Sequence, residues 1–216
     1  LEKVKEFHDW DAEQYKRMRY NKNSCEGLAY VTRKLIIENI IPKYSDTVLD
    51  IGCGPGIFTE NLLLRYGKVY NLDISLEMLK QSRNKKMHYV DSNKLFFISN
   101  DASMLSFRNE KFDLVLCVGV IYYVQSYNSV MAEIYRVLKP GGNAIIQINK
   151  IRWPNIYSKF VPLYQTVKNK LSKKDYQKIC FDFNYFNYQK FLRDLPQHGF
   201  KNISVYSYDF RIPFWD

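Results

Sequence analysis

The chain has 216 residues, 46% of them hydrophobic, and a net charge of +10. That length suits one α/β domain with an elaboration and leaves no room for two full domains. No stretch approaches the ~20 uncharged apolar residues of a membrane-spanning helix, and the scattered cysteines (Cys25, Cys53, Cys117, Cys180) lack the paired spacing of a zinc site or a disulfide framework. No metal site is expected. The reading is a protein of a reducing compartment, the cytoplasm, although the chain opens on Leu1, which leaves a targeting segment open.

Residues 1–20 carry Phe7, Trp10, Tyr15 and Met18 among charges, a pattern compatible with an amphipathic helix. Such a helix either lies on the domain or forms a flap over a ligand. Residues 26–41 read as a second helix, with Leu28, Val31, Leu35, Ile36 and Ile40 at helical spacing and Pro42 ending it. Val48-Leu49-Asp50-Ile51 is a short strand, and three alternating glycines follow it: Gly52-Cys53-Gly54-Pro55-Gly56. From Phe58 the pattern turns helical. Strand, glycine turn and helix open a nucleotide-type α/β site, where bare backbone comes close to a bound group.

Alternation continues. Strands are predicted at 68–73, 95–99, 112–118 and 144–148, with helices at 77–83 (Ser75 as its cap) and 128–138. Lys139-Pro140-Gly141-Gly142 stops the second of these helices. The fold class is therefore α/β, a Rossmann-like doubly wound, mostly parallel sheet with helices on both faces. Ligands bind such sheets at the carboxyl ends of the strands, and Asp50, Asp73, Asp101 and Cys117 all fall at such ends.

The stretch 151–186 interrupts the rhythm. Between Lys150 and Phe181, eight lysines and arginines face one aspartate, which accounts for seven of the ten net charges, and aromatics are interleaved with them. A helix at 188–197 and a strand at 202–208 follow. The organisation expected is one domain: N-terminal helices over 1–44, a cofactor-binding core over 45–150, a basic aromatic lid over 151–186, and a C-terminal helix and strand over 187–216.

The turn does not suit a dinucleotide. Its third glycine comes one residue early, and Asp50 would repel a pyrophosphate while favouring a ligand with a cation. No Gly-Lys-Ser/Thr follows, which removes the P-loop. The stretch 48–56, the acid Asp73, the pair Asp101-Ala102, the stretch Phe112-Asp113-Leu114-Val115 and the turn Arg136-Val137-Leu138-Lys139-Pro140-Gly141-Gly142 together resemble the class I S-adenosylmethionine-dependent methyltransferases, in order from about residue 45 to 150.

The resemblance implies S-adenosyl-L-methionine as cofactor and S-adenosyl-L-homocysteine as product. Gly52, Cys53, Gly54 and Gly56 would let backbone approach the methionine end, and Asp50 would favour its amino group. Asp73 would take both ribose hydroxyls and Asp101 the adenine amino group. Ala102 and Cys117 would contact by backbone or packing, and Ile74 and Met78 would sandwich the ring. Tyr15 and Arg19, one turn apart, would meet the carboxylate; Arg17 or Tyr20 could take the same part. Tyr122 and Tyr123, after the fourth strand, stand where many relatives carry histidines. They and His8 are the candidate catalytic residues, with aromatic packing as the alternative for the tyrosines; His88 and His198 read as surface residues.

The reaction implied is methyl transfer to an oxygen, nitrogen or carbon of a small-molecule acceptor, an acidic or lipid-like one if the lid covers it. The Asn/Asp-Pro-Pro-Tyr/Phe motif of nucleic-acid amine methyltransferases is replaced by Cys117-Val118-Gly119-Val120, so DNA is not expected. An RNA-directed enzyme using 151–181, contact of that segment with an anionic membrane surface, and a non-catalytic protein that retains the fold stay open. The sequence leaves the oligomeric state undetermined.

Overall fold

A computed structural model describes residues 2–12, 15–20, 25–43, 45–84, 89, 92–148 and 187–206. The predicted lid at 151–186, Lys150, His88 and residues 207–216 lie outside the described residues.

Five parallel strands form one sheet: β1 (Ser45–Ile51), β2 (Tyr66–Asp73), β3 (Leu95–Ser99), β4 (Phe112–Val118) and β5 (Leu138–Gln147), in the order β3-β2-β1-β4-β5. The order reverses beside β1, so the crevice between the ends of β1 and β4 is the place for a ligand. Helices α1 (Glu2–Asp11), α2 (Tyr15–Arg19) and α3 (Cys25–Ile40) precede the sheet. Helices α4 (Thr59–Leu63), α5 (Leu76–Asn84) and α6 (Tyr127–Val137) connect its strands, and α7 (Tyr188–Asp194) follows.

Alternation along each strand divides the core in two. Leu49, Ile51, Val115 and Cys117 face α6 and α7, packing on Val130, Met131, Ile134 and Phe191. Val48, Leu114, Leu116 and Val118 face the other way, onto Ile37, Phe58 and Leu62 of the α3–α4 side. Fully burying one such aliphatic side chain contributes about 1.5–3 kcal/mol. Two buried layers therefore hold the strand ends fixed.

The turn at Lys139–Gly142 belongs to the start of β5, and the β4–β5 register is irregular between Phe112 and Leu114. Its motif residues serve structure. Lys139 pairs with Asp113 at 2.9 Å, and Asp113 also accepts from the Thr47 backbone and hydroxyl. Arg136 donates to the carbonyls of Leu105 and Phe107 and pairs with Glu133, which pins the stretch after β3.

Four expectations change. The N-terminal helix is two helices, α1 and α2. The buried stripe of α3 is not Leu28 and Leu35, which are exposed, but Arg33, Ile37 and, just past its end, Ile41. Apolar residues lie around most of this helix, so periodicity alone does not choose a face. The last predicted helix ends at Asp194 and tightens to a 3₁₀ turn over Leu195–His198, with Pro196 inside it and Gly199 as its left-handed stop. Residues 202–206 form no strand; Ile203, Val205 and Tyr206 are exposed. An alternating sequence becomes a strand only where a partner supplies the ladder, and among the described residues β5 pairs with β4 alone.

Candidate active site

The glycine turn folds back onto the end of β2. The Gly52 and Cys53 N–H groups both donate to the Leu72 carbonyl, at 2.7 and 3.0 Å. Gly52 has φ +66°, and a Cβ there would fall 2.1 Å from Val120 Cγ2; at Gly56, φ +75°, it would fall 2.2 Å from Ser82 Oγ. These two positions need glycine for both conformation and space. Beneath the turn, buried Asn71 donates to Thr59 Oγ1 and Ser82 Oγ, which ties α4 and α5 to β2.

Asp73 locks the turn from the neighbouring strand. Its Oδ2 accepts from the Gly54 N–H at 2.8 Å and its Oδ1 from the Ser75 N–H at 2.9 Å. Burial pushes its carboxyl up to about 6 against the pull of those N–H groups. Each oxygen keeps a lone pair for a ligand hydroxyl. Asp101 sits beside it, past β3, and holds its own loop by accepting from the Ser103 N–H at 2.9 Å. Ala102 and Cys117 are buried, Ile74 is half-buried at the rim, and Met78 lies buried beneath Gly54. Burial raises the Cys117 and Cys53 sites' role as packing: both cysteines are buried, and burial, then Asp50, lifts the Cys117 thiol far above its ordinary value.

Asp50 is the anomaly of this half. It is 1% exposed, and its Oδ2 has no hydrogen-bond partner. Burial, then the Asp73 charge, pushes its carboxyl up to about 8. A buried carboxyl oxygen without a donor costs about 1–3 kcal/mol. A cationic group brought in by a ligand removes that cost and favours the ionised form.

The other half is aromatic. Tyr122 and Tyr123 lie in a 3₁₀ turn after β4, and Tyr122 donates to Gln147 Oε1, at the end of β5, at 3.2 Å. His8 of α1 meets Tyr123 edge-on at 4.8 Å. Burial, then the Arg19 charge, lowers its imidazole to about 4, so it is neutral at pH 7. Burial raises both tyrosines, Tyr123 to about 12, so both keep their protons there. Arg19 lies over the Tyr15 ring at 4.4 Å and pairs with the buried Asp11 carboxylate. Helix α1 is latched to the stretch after β2: Asp9 accepts from Ser75 Oγ at 2.6 Å and pairs with Lys5.

The structure thus brings Asp50, the glycines, Asp73, Asp101 and Cys117 to one sheet edge, and His8, Tyr15, Arg19, Tyr122 and Tyr123 to the wall beside it. His198 instead sits half-buried beside Asn128, 3.1 Å from its Oδ1. Sequence reasoning missed Arg33. It is 8% exposed on the buried stripe of α3, its guanidinium 4.4 Å from the Tyr30 ring centroid. The four-residue steps from Arg33 to Ile37 to Ile41 are the signal that could have found it. Among the described residues no cluster of His, Cys, Asp and Glu is arranged to hold a metal ion, and no helix is long and apolar enough to cross a membrane.

Residues 49–146 match the family model described as a methyltransferase domain. The demethylmenaquinone methyltransferase of Staphylococcus haemolyticus is 30% identical over 192 residues, covering 82% of this chain and 78% of that one. Among solved structures, the Haloferax volcanii methyltransferase in complex with the Trm112 activator is similar with a TM-score of 0.65 and 23% identity, over 89% of this chain and 75% of that one. Phosphoethanolamine N-methyltransferase 2 of Haemonchus contortus, in complex with S-adenosyl-L-methionine, gives 0.65 and 21%, over 90% and 42%. The glycine turn, the three strand-end acids, the matched domain and the 30% identical relative agree, and the chain belongs to the class I S-adenosylmethionine-dependent methyltransferases.

Proposed function

We propose that the protein transfers the methyl group of S-adenosyl-L-methionine to a small-molecule acceptor held at the ends of β4 and β5, under α1–α3. The observation that carries this reading is the division of the pocket into a polar donor cradle and an aromatic wall. The named relative acts, by its name, on demethylmenaquinone, a small molecule, which supports the same class here.

In this reading Asp73 binds the two ribose hydroxyls and Asp101 the adenine amino group. Asp50 takes the donor's ammonium, and the backbone at Gly52–Gly56 lies along its methionine end. S-adenosyl-L-methionine supplies a methyl group already activated on a sulfonium, and the electron pair of the broken C–S bond stays on sulfur. The chain's own task is then mainly positioning. Tyr123, protonated at neutral pH, donates to an acceptor oxygen, and the Tyr122 hydroxyl, whose proton goes to Gln147, accepts from an acceptor N–H or O–H, so that a free lone pair of the nucleophile points at the methyl group. His8, neutral at pH 7, accepts the acceptor's proton where the nucleophile carries one. The imidazole is a weak base there, so a nucleophile that is already deprotonated gains most from this site. The basic segment 151–186 is the proposed lid.

The charge of that segment, eight basic residues against one acidic between Lys150 and Phe181, favours one second reading, RNA as acceptor. Incubation with methyl-labelled S-adenosyl-L-methionine and a cell extract, followed by separation of small solutes from RNA, decides. Label among the small solutes supports the first reading, and label in RNA the second. S-adenosyl-L-homocysteine binding without label in either fraction identifies a non-catalytic binder.

A further inference from the structure

Two carboxylates hold Ser75 from opposite sides. Its N–H donates to Asp73 Oδ1 at 2.9 Å, and its hydroxyl donates to Asp9 Oδ1 at 2.6 Å. The same hydroxyl oxygen accepts from the Met78 N–H at 3.1 Å and so caps α5. Ser75 is fully buried, so a partner lost there is not replaced by bulk water. Asp9 also accepts from the Glu77 N–H at 3.3 Å, and Lys5, one turn back, pairs with its other oxygen at 2.6 Å. Glu77 itself is paired with Lys80 at 2.6 Å. Although burial opposes it, the bonds from Lys5, Ser75 and Glu77 hold the Asp9 carboxyl below its ordinary value, so it is an anion at pH 7. Ser75 alone meets the capping need of α5, and Asp9 is an addition brought in from another helix.

The place of Asp9 in the chain gives this contact a reach beyond α5. Its neighbour His8 meets the Tyr123 ring edge-on at 4.8 Å. Two successive residues of α1 therefore touch the stretch after β2 and the turn after β4. The Asp9 charge is felt in both directions. Burial pushes the Asp73 carboxyl up against the Ser75, Gly54 and Ile74 N–H groups, and the Asp9 charge adds to that rise. Burial, then Arg19, lowers the His8 imidazole, and Asp9 opposes both. Asp9 and Asp73 thus draw on one serine while they repel each other. A ligand hydroxyl donating to Asp73 draws off part of its charge, weakens the repulsion and tightens the Asp9–Ser75 bond.

We infer that Asp9 is a positioning residue for methyl transfer: it couples a ligand's hydroxyls at Asp73 to the seating of α1, and through α1 to the placing of His8 against Tyr123. This rests on the methyl-transfer reading above and adds a connection to it, because the two reactant sites then bind as one unit. A donor that reaches Asp73 fixes the wall against which the acceptor packs. By thermodynamic reciprocity, an acceptor that packs against His8 and Tyr123 tightens the hold on the donor. Asp9 itself touches neither reactant and acts through Ser75 and His8.

The test reads Trp10, the next residue of α1, which is 49% exposed, in a protein whose other tryptophans, Trp153 and Trp215, are replaced by Phe. S-adenosyl-L-homocysteine is added to that parent and to its Asp9→Asn and Asp9→Ala variants, and affinity is measured by calorimetry alongside Trp10 emission. Binding should shift the emission in the parent. Asp9→Ala should lose the shift and bind about 5–150-fold more weakly, the usual range of coupling between two sites. Asp9→Asn keeps an oxygen for the Ser75 hydroxyl and gives up the charge and the Lys5 pair, so it should fall between and recover part of the shift. Amide exchange of the unmodified protein needs no variant and decides if Asp9→Ala does not fold: α1 should exchange more slowly with S-adenosyl-L-homocysteine bound. A parent whose Trp10 does not respond to bound ligand, an Asp9→Ala variant that keeps both shift and affinity, or α1 amides that exchange at one rate free and bound each overturn the inference. Weaker binding in Asp9→Ala with the shift intact also overturns it and leaves Asp9 a second cap of α5. Protein that does not bind S-adenosyl-L-homocysteine at all overturns the methyl-transfer reading itself, and this inference with it.

Discussion

The two halves of the proposed methyl-transfer site are built by different means. The donor half uses consecutive strand ends and one turn: Gly52–Gly56, Asp73 and Asp101 reach it from β1, β2 and β3, and much of its bonding is backbone N–H to carboxylate or carbonyl. The aromatic half is assembled from separate stretches that meet only in the folded chain: His8 from α1, Tyr15 and Arg19 from α2, Arg33 from α3, Tyr122 from the turn after β4 and Gln147 from β5. The first kind of site tolerates almost no change at its turn. The second can vary one side chain at a time. A family that keeps one donor and changes acceptors is served by that arrangement.

The largest effect expected separates the halves at Gly52. An alanine there meets Val120 Cγ2 at 2.1 Å at φ +66°. Left-handed strain of about 1–2 kcal/mol adds to about 1–3 kcal/mol of overpacking. Gly52→Ala should lose about 2–5 kcal/mol in urea unfolding and most of its S-adenosyl-L-homocysteine affinity. Gly141→Ala is the control: φ is +77° and nothing lies within 4 Å of the new Cβ, so only the backbone term of about 1–2 kcal/mol should appear, with binding kept. Equal losses in the two variants would show that the close contact with Val120 carries no weight.

The same contrast explains what the sequence discloses. β3 and β4 agree with the predicted bounds to the residue, because nearly unbroken apolar runs between turn signals define them. The donor half is legible because its residues are fixed in order by the strand–turn–helix rhythm. The aromatic half is legible only in part. Tyr122 follows β4 directly and can be placed, whereas Arg33 lies in a helix with apolar residues on most sides, and only the packing of α3 on Val48, Phe58 and Leu62 selects its face. The paired state of Arg19 is equally hidden, since Asp11 lies in another helix, across a break in the predicted single one. The strand expected at 202–208 does not form over the described residues 202–206 for a related reason: alternation states a capacity, and pairing requires a neighbour.

Asp73 comes next in size. Asp73→Asn replaces a carboxylate that holds two N–H groups by an amide with a single acceptor oxygen. One of those N–H groups loses its partner and the turn loosens. S-adenosyl-L-homocysteine should bind about 10–100-fold more weakly by calorimetry. A loss of less than twofold would mean that the turn holds its shape without Asp73.

The halves also differ in the sign of their pH dependence. In the folded protein Asp50 titrates near 8 and Asp73 near 6, both above the ordinary 3.8. The folded state therefore holds more protons than the unfolded chain, and stability falls as pH rises from about 4 through about 8. His8 titrates near 4 against an ordinary 6.5. Its folded state holds fewer protons, so its contribution is present above about 6.5 and is lost as pH falls toward 4. Thermal melts of the ligand-free protein from pH 4 to 8 should show Asp50→Asn flattening the decline on the alkaline side and His8→Gln flattening the loss on the acid side. Binding of S-adenosyl-L-homocysteine near pH 7 should release a proton from wild type and none from Asp50→Asn, read from calorimetry in buffers of different ionisation enthalpy. Parallel profiles for wild type and Asp50→Asn would remove Asp50 from the donor site.

The smallest effect belongs to Tyr122. Its hydroxyl stays protonated, because burial raises it, and donates to Gln147 at 3.2 Å, a neutral bond of about 0.5–1.5 kcal/mol. Tyr122→Phe keeps the ring and removes that bond. S-adenosyl-L-homocysteine affinity should not change, since nothing in the donor cradle touches the hydroxyl. If Tyr122 orients the acceptor, turnover or KM for the acceptor should shift by up to about tenfold, the size of one neutral hydrogen bond, with no change in the pH profile of the rate. A loss of more than a hundredfold, or an alkaline limb lost with the hydroxyl, would instead make Tyr122 a proton-transfer group. That outcome would require the bound acceptor to bring a positive charge close enough to lower the phenol's pKa.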